Sequence, residues 1–109
     1  MEFSRRKWGW YLTLLSYETF KVKLLYFKKD KHLSLQKHLH RNELWCFLSG
    51  KGFFIYDSES VDAKKEPVTK GEHRVVQKRY WHQYYAIKST LVLEIQYGTV
   101  CSEVDIIRS

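Results

Sequence analysis

Two histidines one residue apart, His38 and His40, are the side chains in this sequence whose type and spacing most suggest chemistry. In an extended strand, residues i and i+2 project from the same face, so both imidazoles would point one way with Gln36 beside them. Neutral imidazoles a few ångströms apart are a natural start for a zinc, manganese, iron or nickel site. Three residues past His40, Glu43 offers a hard anionic oxygen. A metal centre needs at least three donors, so a further ligand would have to arrive from elsewhere in the chain. The same His-x-His spacing is also common in pairs of strand-surface histidines, and on spacing alone both readings stand.

The elements that must position these residues repeat with period two, the alternation of strands. Segments rich in β-branched and aromatic residues cover Trp10–Leu15, Phe20–Phe27, Leu44–Leu48, Phe53–Tyr56, Val75–Val76, Gln83–Ile87 and Leu91–Tyr97. Polar breaks such as Lys28–Lys31 and Lys88-Ser89-Thr90 separate them. Many short strands at this spacing predict an all-β sandwich or barrel. Gly50 and Gly52 predict a hairpin turn, Asp57–Lys65 an exposed loop, and Ser102–Ile107 at most one helical turn. With 109 residues, one proline and five glycines, the chain is expected to be a single domain over residues 1–109.

Nineteen Lys and Arg against twelve Asp and Glu give a formal charge of +7, which favours anionic partners. The basic residues are scattered and form no recognised nucleic-acid module, so nucleic-acid binding is disfavoured and a small anionic ligand preferred. The apolar run after Arg5, Arg6 and Lys7 is too short for a secretory leader, and no stretch is long enough to span a membrane. Cys46 and Cys101 read as reduced, packed thiols. A cytoplasmic protein is expected.

The stretch from Ser34 through His38, His40, Glu43 and Trp45 to Gly50 resembles the first cupin motif, and the interval Gly71 to His82 resembles the second. The resemblance implies a cupin barrel in which His38, His40, Glu43 and His82 hold one divalent metal ion. Leu33-Ser34-Leu35-Gln36, Arg41, and Glu43 with Trp45 are similar to the cupin domain of type II mannose-6-phosphate isomerases. Arg6-Lys7-Trp8-Gly9-Trp10-Tyr11, Glu94-Ile95-Gln96-Tyr97-Gly98 and Glu103 through Arg108 resemble that family's opening, late strand and close. Gln77 and Arg79 stand where the second motif has proline and glycine, Ala86 replaces an asparagine, and Lys31-His32 replaces a Pro-Gly turn. These departures leave the ligand set intact and put the substrate in question.

The family implies aldose–ketose isomerisation of a phosphorylated sugar, with an iron-dependent oxygenase and a non-catalytic metal- or sugar-binding module as alternatives on the same barrel. Arg41 would grip phosphate through its planar guanidinium, or be a solvated loop residue. Lys23 alternates with apolar Leu25 and Phe27, so it would lie on a buried face and need an anionic partner. Arg79 is a weaker substrate contact, and Gln36 shares the face of His38. Glu94 and Tyr84 are the candidate proton-transfer groups; a paired glutamate and a core tyrosine are the competing readings. Trp45, on the face of Glu43, would pack beneath the metal. A homodimer built through edge strands and the N-terminal segment is the family-level expectation.

Overall fold

In the computed structural model, residues 1–57 and 64–108 are described. They form eleven strands and no helix. One sheet runs β1 (Glu2–Arg6), β2 (Gly9–Ser16), β3 (Phe20–Phe27), β10 (Thr90–Gly98), β5 (Arg41–Ser49) and β8 (His73–Val76). The second runs β11 (Ile107–Arg108), β4 (Gln36–Lys37), β9 (Trp81–Ala86), β6 (Lys51–Asp57) and β7 (Lys64–Thr69). Every pairing is antiparallel.

The alternation in the sequence sets which side chains meet. On β3, Lys23, Leu25 and Phe27 turn inward; on β5, Arg41, Glu43, Trp45 and Phe47; on β10, Val92, Glu94 and Gln96. The second sheet supplies Phe54, Val68, His82, Tyr84 and Ala86. Phe27 stacks on Trp8 at 4.4 Å and meets Tyr84 edge-on at 5.0 Å, while Trp45 meets Phe54 edge-on at 5.4 Å. Each such ring removes roughly 150–250 Å² from water, a few kcal/mol of driving force apiece. The aromatic cluster fills one end of the space between the sheets. The inward polar residues line the other.

The seven expected strands are present. β1, β4, β7 and β11 were not expected: β1 is largely charged or polar, and β4 and β11 are two residues long. β7 begins at Lys64, inside the segment expected to be loop, of which residues 58–63 lie outside the described residues. The helical turn expected over Ser102–Ile107 is a turn closed by the Asp105 N–H on the Ser102 carbonyl, followed by extended chain. Gly50 does not join a hairpin, because β5 and β6 lie in different sheets. It makes the corner between them at φ +84°, where a Cβ would sit 2.3 Å from the Ser89 carbonyl oxygen. Gly52 is required by space: its Cβ would meet the Tyr85 carbonyl at 2.1 Å and the Tyr84 hydroxyl at 2.5 Å.

Candidate metal centre

His38 follows β4, Glu43 projects from β5 and His82 from β9, so three segments from both sheets bring their donors together. One donor atom from each lies within 4.8 Å of the others, and all three residues are buried. His38 Nε2 stands 3.2 Å from one Glu43 oxygen, and His82 Nε2 stands 3.5 Å from the other. Trp45 Nε1–H donates to Glu43 Oε1 at 2.9 Å, holding the carboxylate from below.

His40 is the exception. The chain bends at Leu39-His40, because both backbone N–H groups donate to the Asp105 carboxylate at 2.8 and 2.9 Å. The His40 carbonyl is tied to Thr99. The bend shifts the alternation by one, so His40 is exposed and Arg41 takes the inward place. The structure thus corrects the set of four converging donors to three. A same-face rule for i and i+2 fails where the residues are not both in a strand.

The second ring nitrogens fix how the imidazoles face. His38 Nδ1–H reaches the Asp105 carbonyl at 2.5 Å, leaving the Nε2 lone pair directed at the site. Burial, reinforced by Arg41, lowers the His38 pKa to about 4, so the ring is neutral at physiological pH. His82 Nδ1 lies 3.4 Å from the Tyr80 carbonyl, and its buried Nε2 has no hydrogen-bond partner. An orphaned buried nitrogen beside a carboxylate and a second imidazole lone pair is an acceptor-rich cluster that a cation would satisfy. The donor set, two imidazoles and one carboxylate, fits a divalent transition metal.

Among the described residues, Arg41 is the one cationic side chain in contact with these donors. Its Nε–H donates to Glu43 Oε2 at 2.9 Å, one Nη–H to the Ser102 carbonyl at 2.9 Å, and the other Nη lies 3.2 Å from His38 Nε2. Burial would raise the Glu43 pKa, but the cationic forms of His38 and His82 and the Arg41 charge outweigh it and hold the carboxyl well below its usual range. Arg41 is the smallest of these contributions and the one whose charge does not depend on pH. Arg41 is neither a solvated loop residue nor a free phosphate grip.

Around these donors lies a cavity of about 170 Å³, smaller than the ~300 Å³ where pockets for drug-sized ligands begin. Lys23, expected to need an anionic partner, is buried against Glu103 and lies 4.2 Å over the Tyr11 ring. Gln36 lines the wall and bonds Ser34. Glu94 is on the opposite wall and accepts from Gln96 Nε2–H at 2.7 Å, leaving Gln96 Oε1 unpartnered. Burial and the nearby Glu43 charge push the Glu94 carboxyl up to about 8, although Arg41 and Lys23 pull the other way. It is mostly protonated at pH 7.

Two expected site residues lie elsewhere. Tyr84 is fully buried among Phe27, Trp45 and Phe47 with its hydroxyl 2.8 Å from Thr90 Oγ1, so it is a core tyrosine. The alternation that put it on the face of His82 is correct; it points deeper, below the cavity. Arg79 is exposed at φ +73°, its N–H bonded to the His38 carbonyl, and lies outside the cavity wall.

Residues not singled out by the sequence complete the wall. Arg6 and Arg108 line it and bond the neutral hydroxyls of Tyr11 and Ser34. Four cationic side chains (Arg6, Lys23, Arg41, Arg108) thus face three carboxylates, of which Glu94 is protonated, leaving a surplus of two positive charges. Asp105 and Glu103 come from the C-terminal segment. The signal for them was the family-like close of the chain, read as a resemblance and not as site residues.

The family described as Mannose-6-phosphate isomerase C-terminal matches residues 2–109. A mannose-1-phosphate guanylyltransferase of Sinorhizobium fredii is 44% identical over 45 residues, 41% of this chain and only 9% of that protein. Among solved structures, a variant of the Bacillus subtilis oxalate decarboxylase OxdC superposes with a TM-score of 0.85 at 14% identity, over 98% of this chain and 30% of the other. KdgF from Halomonas sp. gives 0.78 at 10% identity over 90% and 88%. The Schizosaccharomyces pombe Cnp3 cupin domain gives 0.74 at 13% over 82% and 64%. At these identities the likeness establishes the cupin fold.

Proposed function

Because the chain belongs to the Mannose-6-phosphate isomerase C-terminal family of cupin domains, we propose that it is a metal-assisted isomerase of a phosphorylated sugar. The carrying observation is the triad of buried donors His38, Glu43 and His82 at the wall of a cavity with surplus positive charge. A cation held there would polarise the sugar carbonyl and stabilise the oxyanion that develops on it. Arg6 and Arg108, whose hydrogen bonds go to uncharged oxygens (the Arg5 carbonyl and Tyr11 hydroxyl, and the Ser34 hydroxyl), hold the phosphate. Glu94 has a pKa close to the working pH and so can both give and take the proton that moves between adjacent carbons. Gln96 holds the Glu94 carboxyl and offers its unpartnered oxygen to a sugar hydroxyl. Trp8 and Tyr11 give the ring an apolar wall.

A second reading, a non-catalytic sugar-phosphate-binding module, is favoured by one observation: Arg41 already contacts two of the three donors. The test is interconversion of mannose-6-phosphate and fructose-6-phosphate by protein stripped with chelator and reloaded with zinc, manganese, iron or nickel in turn. The expected result is turnover restored by at least one metal, and a loss of about 100-fold or more in Glu94→Gln at unchanged metal content. Sugar-phosphate binding without turnover under every metal supports the second reading. Neither binding nor turnover refutes both.

A further inference from the structure

The connections that follow β1, β3, β5, β7 and β9 close one end of the barrel, beside Phe27, Phe47 and Ala86 of the aromatic cluster. Backbone hydrogen bonds tie these connections to one another. Lys28 N–H donates to the Trp8 carbonyl at 2.8 Å, which sets Lys28 and Lys29 beside Lys7. Ala86 N–H donates to the Lys31 carbonyl at 2.9 Å. The next two N–H groups, of Ile87 and Lys88, donate to the Lys51 carbonyl at 3.0 and 3.1 Å, and Lys70 N–H reaches the Gly50 carbonyl at 3.1 Å. Seven lysines that are scattered along the sequence are thus gathered at one end, and all seven are exposed. The acids in the same connections are Asp30 and Glu72, so five of the chain's seven surplus positive charges lie here. Glu72 is already engaged by the Thr69 N–H at 2.9 Å and by Arg74 at 3.9 Å. Among the described residues, none of the seven lysines is in an ion pair. The metal centre and its cavity lie toward the opposite end of the space between the sheets.

We propose that this lysine-rich end docks the protein onto an anionic lipid surface, with the closed end of the barrel against the headgroups. Unpaired like charges held side by side repel, and a partner of opposite sign relieves that repulsion. Clusters of about four to eight basic residues are what anionic lipid headgroups attract. The geometry favours a plane over a duplex. Connections spread around the whole end of a barrel meet a flat surface together, whereas the convex side of a duplex meets only those beneath its axis. The side chains agree with that choice. None of the basic residues in these connections is arginine, which grips phosphates of nucleic acid bidentately. Their one aromatic residue, Trp8, is buried, so no ring is offered for a base to stack on. No helix or projecting ribbon is present there to enter a groove. Attachment through lysines is electrostatic and reversible, because salt shortens the range of the attraction from ~30 Å at 0.01 M to ~3 Å at 1 M. Docked this way, the cavity is turned away from the bilayer and stays open to a small ligand. The proposal does not depend on the isomerase reading, since none of the seven lysines belongs to the metal centre.

The test is co-sedimentation of the full chain with vesicles of phosphatidylcholine alone, or of phosphatidylcholine and phosphatidylserine, at low and at high salt. The expected result is binding to the phosphatidylserine vesicles at low salt, release at high salt, and none to phosphatidylcholine alone. Each lysine near such a surface contributes about fivefold in affinity. Replacing three together, Lys28→Gln, Lys31→Gln and Lys88→Gln, is therefore expected to weaken binding about 100-fold. A second triple variant, Arg5→Gln, Lys65→Gln and Lys78→Gln, removes the same charge from exposed positions outside these connections. It is expected to change binding by less than about fivefold. All six side chains are exposed, and circular dichroism reports that both variants fold. A native chain that ignores phosphatidylserine vesicles at low salt overturns the proposal. So do two triple variants weakened equally, which would make the attraction one of net charge alone. Tighter binding to a DNA duplex of arbitrary sequence than to the vesicles, at equal concentration of anionic groups, overturns it as well.

Discussion

Replacing Arg41 with glutamine removes the guanidinium that contacts Glu43 Oε2 at 2.9 Å and His38 Nε2 at 3.2 Å. In metal-free protein Glu43 is 1% exposed and would lose its compensating cation. Breaking a buried ion pair by removing one partner typically costs about 3–5 kcal/mol. In the metal-loaded protein the bound cation still compensates Glu43, so the loss there is smaller. Thermodynamic linkage turns this difference into affinity: if it reaches about 1.4–2.8 kcal/mol, Arg41→Gln binds the metal ten to a hundred times more tightly than the native chain. Titration calorimetry with zinc or manganese gives the affinity directly. Thermal melts in chelator and in saturating metal supply the other two sides of the cycle. A variant that binds the metal with equal or weaker affinity, while its metal-free form is destabilised, would refute the idea that Arg41 and a metal compensate the same carboxylate.

Other consequences follow from the same geometry. Glu94 is raised from 4.5 to about 8, so the folded state binds more protons there than the unfolded state, and stability is lost as pH rises toward 8. Between pH 6.5 and 8, above the range where neutral His38 contributes, urea unfolding of chelated protein should weaken by about 1 kcal/mol per pH unit, and Glu94→Gln should flatten that slope. Asp105→Ala removes the carboxylate that accepts from Leu39 and His40 and sets the bend beside His38. Metal affinity should fall about 10–100-fold, as for other outer-shell partners, which calorimetry would read. Tyr84→Phe loses one hydrogen bond to Thr90, so it should cost about 1 kcal/mol in denaturation while leaving metal affinity and turnover unchanged.

How much of this was legible in the sequence depended on the distance over which each feature is decided. Alternation within a strand is local, and it put Lys23 and Trp45 on inward faces; Glu94 was legible only through the family-like late strand. The need of Lys23 for an anion followed from its apolar neighbours, although its partner Glu103 lies 80 residues away. The position of His40 was not local. The bend that turns it outward is held by Asp105, 65 residues downstream, and no pattern around His38 carries that information. The same shift brought Arg41 inward and gave it three partners where either a phosphate grip or a solvated residue had been expected. Tyr84 shows the limit of parity from another side: alternation gives the face, while depth along the barrel decides whether a side chain meets ligand or core. Gly50 reads as a hairpin turn from its flanking strands alone, and only the assignment of β5 and β6 to different sheets makes it a corner.

The measurement nearest to the central claim is the metal stoichiometry of purified protein, compared among the native chain, His82→Ala, Glu43→Gln and His40→Ala. Three side chains gathered from two sheets predict one ion per chain, lost with His82 or Glu43 and kept when His40 is removed. An ion that survives the loss of His82 and Glu43, or that leaves with His40, would contradict the assignment of the centre.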